Sequence, residues 1–461
     1  MSAYLTFAIT CLALLLSSIN NSALTVAFPV LVSDFHTSLI SAGWVLSMSQ
    51  LASTAGMPLS GKASDIFGRK FIFLVCAGLF TAGSLLSAIA PNIELLIFFR
   101  LIQGLGIGGF MPSATGLIAD AFPRKIPQMI GLSTGIFVIG QLVGPILGGW
   151  MTESFGWRSV FWFSVPVGII IIITSILFLK SSAGYKSRMD LLGAGLFTGS
   201  ITALMIGLSL LGSGESLPVL LIALFFMVCL ILMIFFIRHE NLVKEPIIDL
   251  QILREKPFMA ANIFNFIIGM TIIGVFSFVP FYAINIYSLS TIESGLIMAP
   301  NSIGAIGTTL IISIFIFRFG YRNPMLIGTI ITIVSVLILG IEVTGLNLLG
   351  IQISGIVIFI AALFLAGLAA GLIVPAANAA CIELMPRRVS TISGVRGMFR
   401  QTGGAIGITI STLILHNVGN AAIGFNIIFF SICGILILSI PLIYAMPHSP
   451  DSAPCSIEEK S

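Results

Sequence analysis

Apolar stretches of about 20 residues recur along the whole chain, and they limit what it can fold into. Each is long enough to cross roughly 30 Å of hydrocarbon as a helix. Of the 461 residues, 57% are hydrophobic and only 8% are charged, whereas soluble domains carry about 25% charged residues. A water-soluble fold cannot bury this much apolar surface, so lipid must surround most of the chain.

The apolar stretches are continuous rather than alternating, which favours helices over the strands of a closed barrel. We therefore expect an all-α membrane protein with about fourteen spans. The first stretch follows no basic residue and closes on no clear cleavage site, so we interpret it as a retained span rather than a signal peptide. The predicted spans are 4–28, 42–60, 71–90, 93–118, 129–149, 160–179, 190–211, 217–237, 258–285, 293–317, 323–342, 349–375, 391–415 and 421–446.

The basic residues are distributed very unevenly between the two sets of loops. If the N-terminus is cytoplasmic, the predicted inner loops carry 16 lysines and arginines, and the outer loops carry only Arg158. Since Lys and Arg favour cytoplasmic loops, both termini are predicted to be cytoplasmic. The short polar tail, residues 447–461, is predicted to be disordered.

Two parts of the chain resemble each other. The stretch GLGIGGFMP…DAFPRK, from Gly104 to Lys125, is similar to GLAAGLIVP…ELMPRR, from Gly367 to Arg388, at a constant offset of 263 residues. Glycines that follow in the next predicted span keep this offset, and earlier matches lie at offsets of 252 and 251. The pattern predicts two six-helix halves in parallel repeat, 1–180 and 258–446, an architecture typical of transporters. About two additional transmembrane helices and a cytoplasmic linker occupy 181–257.

The loop between predicted spans two and three, from Gly61 to Lys70, reads GKASDIFGRK. We expect Gly61 to let helices approach closely and Gly68 to make the turn. Asp65 can accept from Arg69 or from a helix N-terminus, which would latch the inner side. The loop resembles the signature loop of the major facilitator superfamily, although isoleucine follows the aspartate where that family often has arginine. A basic loop without a gating role is the alternative.

The segment Phe99–Gly109, FRLIQGLGIGG, places a charge inside an apolar span, where charges are costly and usually functional. The run from Arg100 to Gly104, which includes Gln103, resembles the fourth-span motif of the same superfamily. This resemblance implies a role for Arg100 in proton coupling or substrate binding. A structural arginine held by backbone carbonyls remains the alternative.

The fifth predicted span carries small residues at a spacing suited to close helix packing. It contains Gly140, Gly144, Pro145, Gly148 and Gly149, and it resembles the antiporter motif of drug exporters. We expect Pro145 to kink the helix. Generic glycine packing is the alternative interpretation.

Further stretches, at 155–166, 245–250, 257–258, 295–300 and 400–404, resemble the fourteen-span drug:proton antiporter subfamily. The resemblance implies proton-coupled efflux of a small amphipathic organic compound, a drug or a metabolite, across a bacterial inner membrane. No cofactor beyond the proton gradient and no nucleic acid is implied. Membrane lipids are the other expected partners. The sequence does not fix the oligomeric state, and a monomer suffices for this interpretation.

One departure concerns the first span, where the subfamily carries an aspartate and this chain has Asn20. An amide does not titrate, and we identify no other carboxylate deep in a span. We therefore hypothesise that Asn20, Asn21, Arg100 and Gln103 form a net-positive polar patch in the cavity. Such a patch suits an anionic or zwitterionic amphiphile.

Other polar residues in the spans are candidates for the cavity, or alternatively for contacts between helices. They are Gln141, Asn262, Asn265, Asn301, Asn378 and Arg400.

We expect a secondary active transporter that works by alternating access, most simply a proton-coupled exporter. A transporter of organic anions, siderophores or lipids without standard proton coupling is the alternative, and a non-transporting membrane sensor or scaffold belongs to another class. The sequence shows no P-loop pattern and no clustered His, Cys or carboxylate residues that would indicate an enzyme or a metal site.

Overall fold

The computed structural model describes most of the chain. The described residues are 2–37, 39–180, 190–212, 219–243, 255–287, 289, 293, 296–341, 345–348, 351–383, 389–418 and 420–446. The tail predicted to be disordered, 447–461, lies outside them, as do the stretch 244–254 and the basic pair at 387–388.

The described part of the chain is almost entirely helical. Its helices are α1 (Ser2–Asp34), α2 (Leu39–Phe67), α3 (Arg69–Ala88), α4 (Ile93–Ala121), α5 (Ile126–Phe155), α6 (Arg158–Phe178), α7 (Leu191–Gly212), α8 (Val219–Glu240), α9 (Lys256–Gly269), α10 (Val279–Tyr287), α11 (Ala299–Phe319), α12 (Arg322–Gly340), α13 (Gly355–Glu383), α14 (Val389–Val418) and α15 (Ala421–Tyr444).

Two short strands precede α13. They are β1 (Gly345–Leu348) and β2 (Ile351–Ser354), and they pair antiparallel. The span predicted over 349–375 therefore starts later, at Gly355, because the residues before it belong to this hairpin. Only Gln352 and Ser354 interrupt the apolar residues between 348 and 375, so hydropathy alone does not mark the change from strand to helix.

The chain is an integral membrane protein, as predicted. Among the described residues, 11 helices are long and apolar enough to cross a membrane. Helix α7 adds a shorter apolar segment, Leu192–Leu208. The total of about fourteen spans stays a prediction.

The chain folds into two compact units. The first comprises residues 1–207, 217–251 and 385–398, and the second comprises 208–216, 252–384 and 399–461. The first unit thus includes α1 to α6, α8, most of α7 and the first turns of α14. The predicted domain boundaries near residues 180 and 257 stay a prediction.

In the first unit, α4 packs so closely on α2 that its glycines lie against the α2 backbone. A Cβ atom added at Gly104 would overlap the carbonyl of Ser49, and one added at Gly108 would overlap the carbonyl of Ser53. Without a hydrophobic effect between helices in lipid, such close approach through small residues supplies much of the packing energy.

The second unit repeats this contact between α13 and α11. A Cβ atom at Gly367 would overlap the carbonyl of Asn301, and one at Gly371 would lie 2.5 Å from the carbonyl of Ala305. These glycines follow those of α4 by 263 residues, and the two carbonyls follow those of α2 by 252. The sequence repeat is therefore a repeat of helix packing.

A second pair of helices repeats in the same way. In the first unit, Cβ atoms at Gly140 and Gly144 of α5 would lie 2.9 Å from the carbonyls of Leu15 and Ile19 of α1. In the second unit, α14 lies 263 residues after α5, and α9 with the following π-helical turn lies 251 residues after α1. These two segments pack on each other in the same way. A Cβ atom at Gly407 there would lie 2.7 Å from the carbonyl of Met270.

In each unit, a basic side chain at the start of one helix bonds to carbonyls at the end of another: α3 to α6 in the first unit, and α12 to α15 in the second. Lys70, at the start of α3, donates to the carbonyls of Ile176 and Leu179 at 2.9 and 2.7 Å. Arg322, which lies 252 residues later at the start of α12, donates to the carbonyl of Tyr444 at 2.9 Å. A cation suits these positions because helix C-termini carry unpaired carbonyls and the negative end of the dipole.

The first helix of the second unit is irregular. After α9, Met270–Val275 forms a π-helical turn and Phe276–Phe278 a 3₁₀ turn. At the offset of 251, the π-helical turn corresponds to residues 19–24 of the regular helix α1. The two halves therefore differ in backbone geometry at the level where α1 carries Asn20 and Asn21.

Helix α8 packs little against protein. Only 6% of its apolar stretch is buried, and the mean hydropathy of that stretch is 3.4. Its contacts with α7 include Phe197 with Phe236, whose ring centroids are 5.1 Å apart. At the ends of the two helices, His239 lies 2.8 Å from Asp190.

We predict that Gly104→Ala destabilises the protein, because the new methyl group overlaps the α2 backbone. Overpacking of this kind costs about 1–3 kcal/mol. The matched control is Gly78→Ala, since a Cβ atom there meets nothing within 4 Å and alanine favours the helix. Thermal unfolding of the purified protein in detergent should show a lower midpoint only for Gly104→Ala; equal midpoints would contradict the prediction.

Candidate functional site

Arg100 lies on α4 and is completely buried in the first unit. Its Nε donates to the carbonyl of Val45 on α2 at 3.1 Å. Its Nη1 donates to Oδ1 of Asn20 on α1 at 3.4 Å and to Oε1 of Gln103, one turn further along α4. The guanidinium therefore links three helices through neutral oxygen atoms.

Hydrogen bonds extend this group to two more helices. Nε2 of Gln103 donates to Oγ of Ser84 on α3 at 2.7 Å, and Nδ2 of Asn20 donates to Oγ of Ser164 on α6 at 2.9 Å. We call these five residues, Asn20, Ser84, Arg100, Gln103 and Ser164, the arginine node. All five are buried.

The two serine hydroxyls have fixed roles in the node. Ser84 donates to the carbonyl of Phe80 at 2.7 Å, and Ser164 donates to the carbonyl of Val160 at 3.1 Å. Each hydroxyl therefore accepts from the node and donates to its own helix, as buried polar groups require.

The arginine node holds a charge without a counter-charge among its members. The guanidinium bonds to two side-chain amides and a backbone carbonyl, and the ring of Phe161 lies 5.8 Å from the Arg100 Cζ. Nη2 of Arg100 has no hydrogen-bond partner among the described residues. Leaving a donor of a buried charged group unpaired is costly.

The structure brings together three of the four residues of the predicted polar patch. Asn20, Arg100 and Gln103 join, but Asn21 is exposed. One residue further along a helix points about 100° away, so the two neighbouring asparagines cannot both face Arg100. Gln141 on α5 is also exposed and lies outside the node.

The patch is also less accessible in the structure than the sequence predicts. The sequence predicts that the patch lines a cavity, whereas Arg100 and Gln103 are completely buried. Asn20 of α1 bonds to the guanidinium, while Ser84 of α3 and Ser164 of α6 bond to Gln103 and Asn20, so the polar groups are bonded to one another inside the helix bundle. The carbonyl of Val45 partly fulfils the alternative of an arginine held by backbone groups.

The second unit has no arginine node at the repeated position. The residues equivalent to Asn20, Ser84, Arg100 and Gln103, at offsets of 251, 252, 263 and 263, are Thr271, Val336, Leu363 and Ala366. All are buried, and the last three belong to one apolar core. The same packing geometry is therefore satisfied without charge.

Asp65, of the loop motif, caps a helix far away in sequence. Its Oδ2 accepts from the backbone N–H of Thr391 at 3.0 Å and from the Thr391 hydroxyl at 2.8 Å. Thr391 lies in the first turn of α14, where backbone N–H groups are otherwise unpaired. Both residues belong to the first unit, and the contact matches the expected acceptance from a helix N-terminus.

The rest of the loop motif supports this contact. Arg69 donates to the carbonyl of Gly116 at 2.8 Å and pairs with Asp120, and it lies 3.5 Å from Asp65. A Cβ atom at Gly61 would lie 2.5 Å from the Ser390 carbonyl, so glycine permits the approach of α14.

Gly68 and Lys70 complete the loop motif between α2 and α3. Gly68 has φ 97°, a left-handed conformation that favours glycine, as predicted for the turn. Lys70 points away from Asp65 and contacts the end of α6.

Among the predicted polar residues of the second unit, two bond to the backbone of their own helix and one bonds to a neighbouring helix. Asn262 and Asn265 are buried and donate to carbonyls four residues earlier, at 2.9 and 2.8 Å. Asn301 donates to a carbonyl of α13 at 3.1 Å. Asn378 is buried, and Arg400 is half-buried with its backbone against Gly269.

Three of the four glycines in the α5 motif lie against the α1 backbone, and the fourth does not. Cβ atoms at Gly140, Gly144 and Gly148 would come within 2.9 Å of α1 backbone atoms, whereas one at Gly149 would lie 3.6 Å from its nearest neighbour. Pro145 lies inside α5, which continues through it as one helix.

A second charged cluster joins the ends of α1 and α6. Trp157 and Arg158 donate to Oδ2 of Asp34 at 2.8 and 2.9 Å. These hydrogen bonds lower the pKa of the Asp34 carboxyl.

Near α7, burial alone would raise the pKa of Asp190, but hydrogen bonds from Gly193 and His239 lower it.

Sequence reasoning missed several residues of the site. Ser84, Ser164 and the carbonyl of Val45 complete the arginine node, and Thr391 completes the contact of Asp65. Single serines and threonines are common in apolar spans and a carbonyl has no sequence signal, so only the fold reveals these partners.

Comparisons with known proteins identify the family of the chain. The chain matches the family described as the Major Facilitator Superfamily over residues 10–351 and 318–460. It is 31% identical to Multidrug resistance protein 3 of Bacillus subtilis (strain 168) over 412 residues, which cover 88% of this chain and 78% of that protein.

A more distant relative and a solved structure extend the comparison. The Multidrug resistance protein B homolog of Mycobacterium tuberculosis (strain ATCC 25618 / H37Rv) is 26% identical, covering 88% of this chain and 74% of its own length. The crystal structure of the human organic anion transporter MFSD10 (TETRAN) aligns with a TM-score of 0.71 at 14% identity. It covers 96% of this chain and 99% of that one, and it supports the fold alone.

We predict that Asp65→Ala destabilises the protein, because it leaves a backbone N–H and a hydroxyl at the start of α14 without their acceptor. Loss of a capping side chain costs about 0.5–2 kcal/mol. Glu153→Ala removes an exposed carboxylate and serves as the control. The prediction is contradicted if thermal unfolding in detergent shows the same midpoint for both variants.

Proposed function

This chain belongs to the major facilitator superfamily, and we propose that it is a secondary active exporter of amphipathic organic compounds. It is a membrane transporter and not an enzyme. In the proposed mechanism, the two halves alternate access to a cavity near the middle of the membrane. Export is the finer part of the proposal, together with the substrate class and the driving ion.

The observation that carries export is the packing of the α5 glycine motif. Gly140, Gly144 and Gly148 lie against α1 beside Asn20, at distances that no larger residue permits. The motif resembles the antiporter motif of drug exporters, and its tight contact with α1 supports a role in sealing or moving that helix pair. The names of the relatives, two multidrug resistance proteins, support the same direction of transport.

We propose that protons drive the export and that the chain belongs to the fourteen-span drug:proton antiporter subfamily. The run from Arg100 to Gly104 supports proton coupling through its resemblance to the fourth-span motif of the superfamily. The stretches at 155–166, 245–250, 257–258, 295–300 and 400–404 support the subfamily through their resemblance to it. The bacterial inner membrane, with both termini cytoplasmic, is the proposed location.

One observation favours a second candidate, a transporter of organic anions, siderophores or lipids without standard proton coupling. In the arginine node, Asn20 replaces the aspartate of the subfamily, and the partners of Arg100 are two side-chain amides and a backbone carbonyl. Since none of these groups titrates in the ordinary pH range, a proton would have to bind elsewhere.

A transport assay separates the two candidates. Everted membrane vesicles that contain the protein should accumulate ethidium when the lumen is made acidic, because outward transport in the cell is inward transport in these vesicles. Collapse of the pH gradient with nigericin should stop accumulation. Ethidium uptake that persists unchanged after collapse would refute proton antiport while leaving transport intact.

We predict that Gly144→Leu abolishes this accumulation, since the side chain would enter the backbone of α1 near Ile19 and Ser22. Gly149→Leu is the matched control, because its nearest neighbour would lie 3.6 Å from the Cβ atom, at Val26. Initial rates should be normalised to the amount of folded protein. Equal rates for the two variants would mean that the glycine contact has no part in transport.

A further inference from the structure

We propose that Arg100 binds an anionic head group of the substrate, so that the preferred cargo is an amphiphile with one carboxylate. This inference rests on the proposed transport function and names its substrate class. The binding atom would be Nη2 of Arg100, the guanidinium nitrogen that has no partner among the described residues.

The first argument is the charge balance of the node. Arg100 is completely buried, and its hydrogen bonds go to the oxygens of Val45, Asn20 and Gln103. A buried cation without a counter-ion is unfavourable, and it persists where function requires it. An anion that arrives with the substrate would supply the missing charge.

The second argument uses the repeat as an internal control. The position equivalent to Arg100 is Leu363, which is buried in an apolar core with Val336 and Ala366. The helix contact beside it is the same, since Gly104 and Gly367 both meet a carbonyl of the neighbouring helix. Packing of this helix pair therefore does not require the charge, which points to a role in binding.

The third argument is that Asn20 is held as an amide. Its Oδ1 accepts from Arg100, and its Nδ2 donates to Ser164 at 2.9 Å. Because the Ser164 hydroxyl already donates to the Val160 carbonyl, it needs a donor at position 20. A carboxylate there would neutralise Arg100 and leave Ser164 without that donor.

The chemistry of the site favours a carboxylate. Nη2 of Arg100 carries N–H donors that can form charge-assisted hydrogen bonds to a carboxylate oxygen, whereas Nε and Nη1 already have acceptors. The ring of Phe161 lies 5.8 Å from the Arg100 Cζ and offers an apolar surface beside the charge. Because Nη2 is buried in the described conformation, binding must accompany a movement of the surrounding helices.

Three probes with one tail test the proposal: dodecanoate, dodecanamide and dodecylamine. Binding to the purified protein in detergent can be followed by quenching of tryptophan fluorescence. We expect dodecanoate to bind at least about tenfold more tightly than dodecanamide, as a charge-assisted contact to arginine implies. In Arg100→Gln this preference should disappear. Equal affinities in the wild type, or a preference that survives in Arg100→Gln, would overturn the proposal.

A second variant keeps the test independent of folding defects. Asn20→Asp is nearly isosteric and places a carboxylate against Arg100, so it should also abolish the preference for dodecanoate. Arg100→Lys keeps the charge and should retain part of the preference. Size-exclusion profiles and thermal midpoints confirm that the variants are folded. A full preference in folded Asn20→Asp would likewise overturn the proposal.

The outcomes also separate this inference from the proposed function. Export of ethidium without any preference for dodecanoate would leave the exporter proposal intact and refute the anion site. Selective binding of dodecanoate, with ethidium accumulation no greater than in vesicles that lack the protein, would refute the exporter proposal and retain the site.

Discussion

Close approach of helix backbones is the interaction on which the rest of this structure depends. Lipid gives helices no hydrophobic reason to associate, so their stability must come from packing and hydrogen bonds at short range. Glycines supply this on α4 and α5 of the first unit, and again on α13 and α14 of the second. Because the same glycines recur at fixed offsets, one solution to the packing problem serves both halves. The arginine node is built between helices that these glycines hold together.

The two halves share this helix packing, so positions at which they differ are candidates for function. The first unit buries Arg100, Ser84 and Gln103 at positions where the second has leucine, valine and alanine. The second unit has a π-helical turn where the first has a regular helix, and such turns are frequent at functional sites. A duplicated fold thus separates residues required by packing from residues retained for another reason. Arg100 has no charged counterpart in the second unit, where Leu363 occupies the equivalent position.

The sequence was a good guide to the fold and a partial guide to the site. Continuous apolar runs predicted membrane helices, and the offset of 263 predicted the repeated packing, because glycine spacing is set by direct contact. Asn20, Arg100 and Gln103 were found because polar residues are rare in apolar spans. Helix geometry alone shows that Asn20 and Asn21 cannot both face Arg100. Which of the two does so, and whether Gln141 points inward, depends on helix rotation and therefore on tertiary packing. The partners Ser84, Ser164 and Thr391 carry no sequence signal, and their roles arise only when helices meet.

Helix α8 has a consequence of a different kind. With 6% of its apolar stretch buried, it gains little from neighbouring helices, so its position depends on the bilayer. Its uninterrupted apolar part, 219–237, spans about 28 Å at 1.5 Å per residue, close to the hydrocarbon thickness of an ordinary bilayer. Thicker membranes would force this helix to draw polar ends inward or thin the surrounding lipid. Acyl-chain length should therefore influence α8 before it influences the glycine-packed core, and lipid composition can act on the protein through this helix.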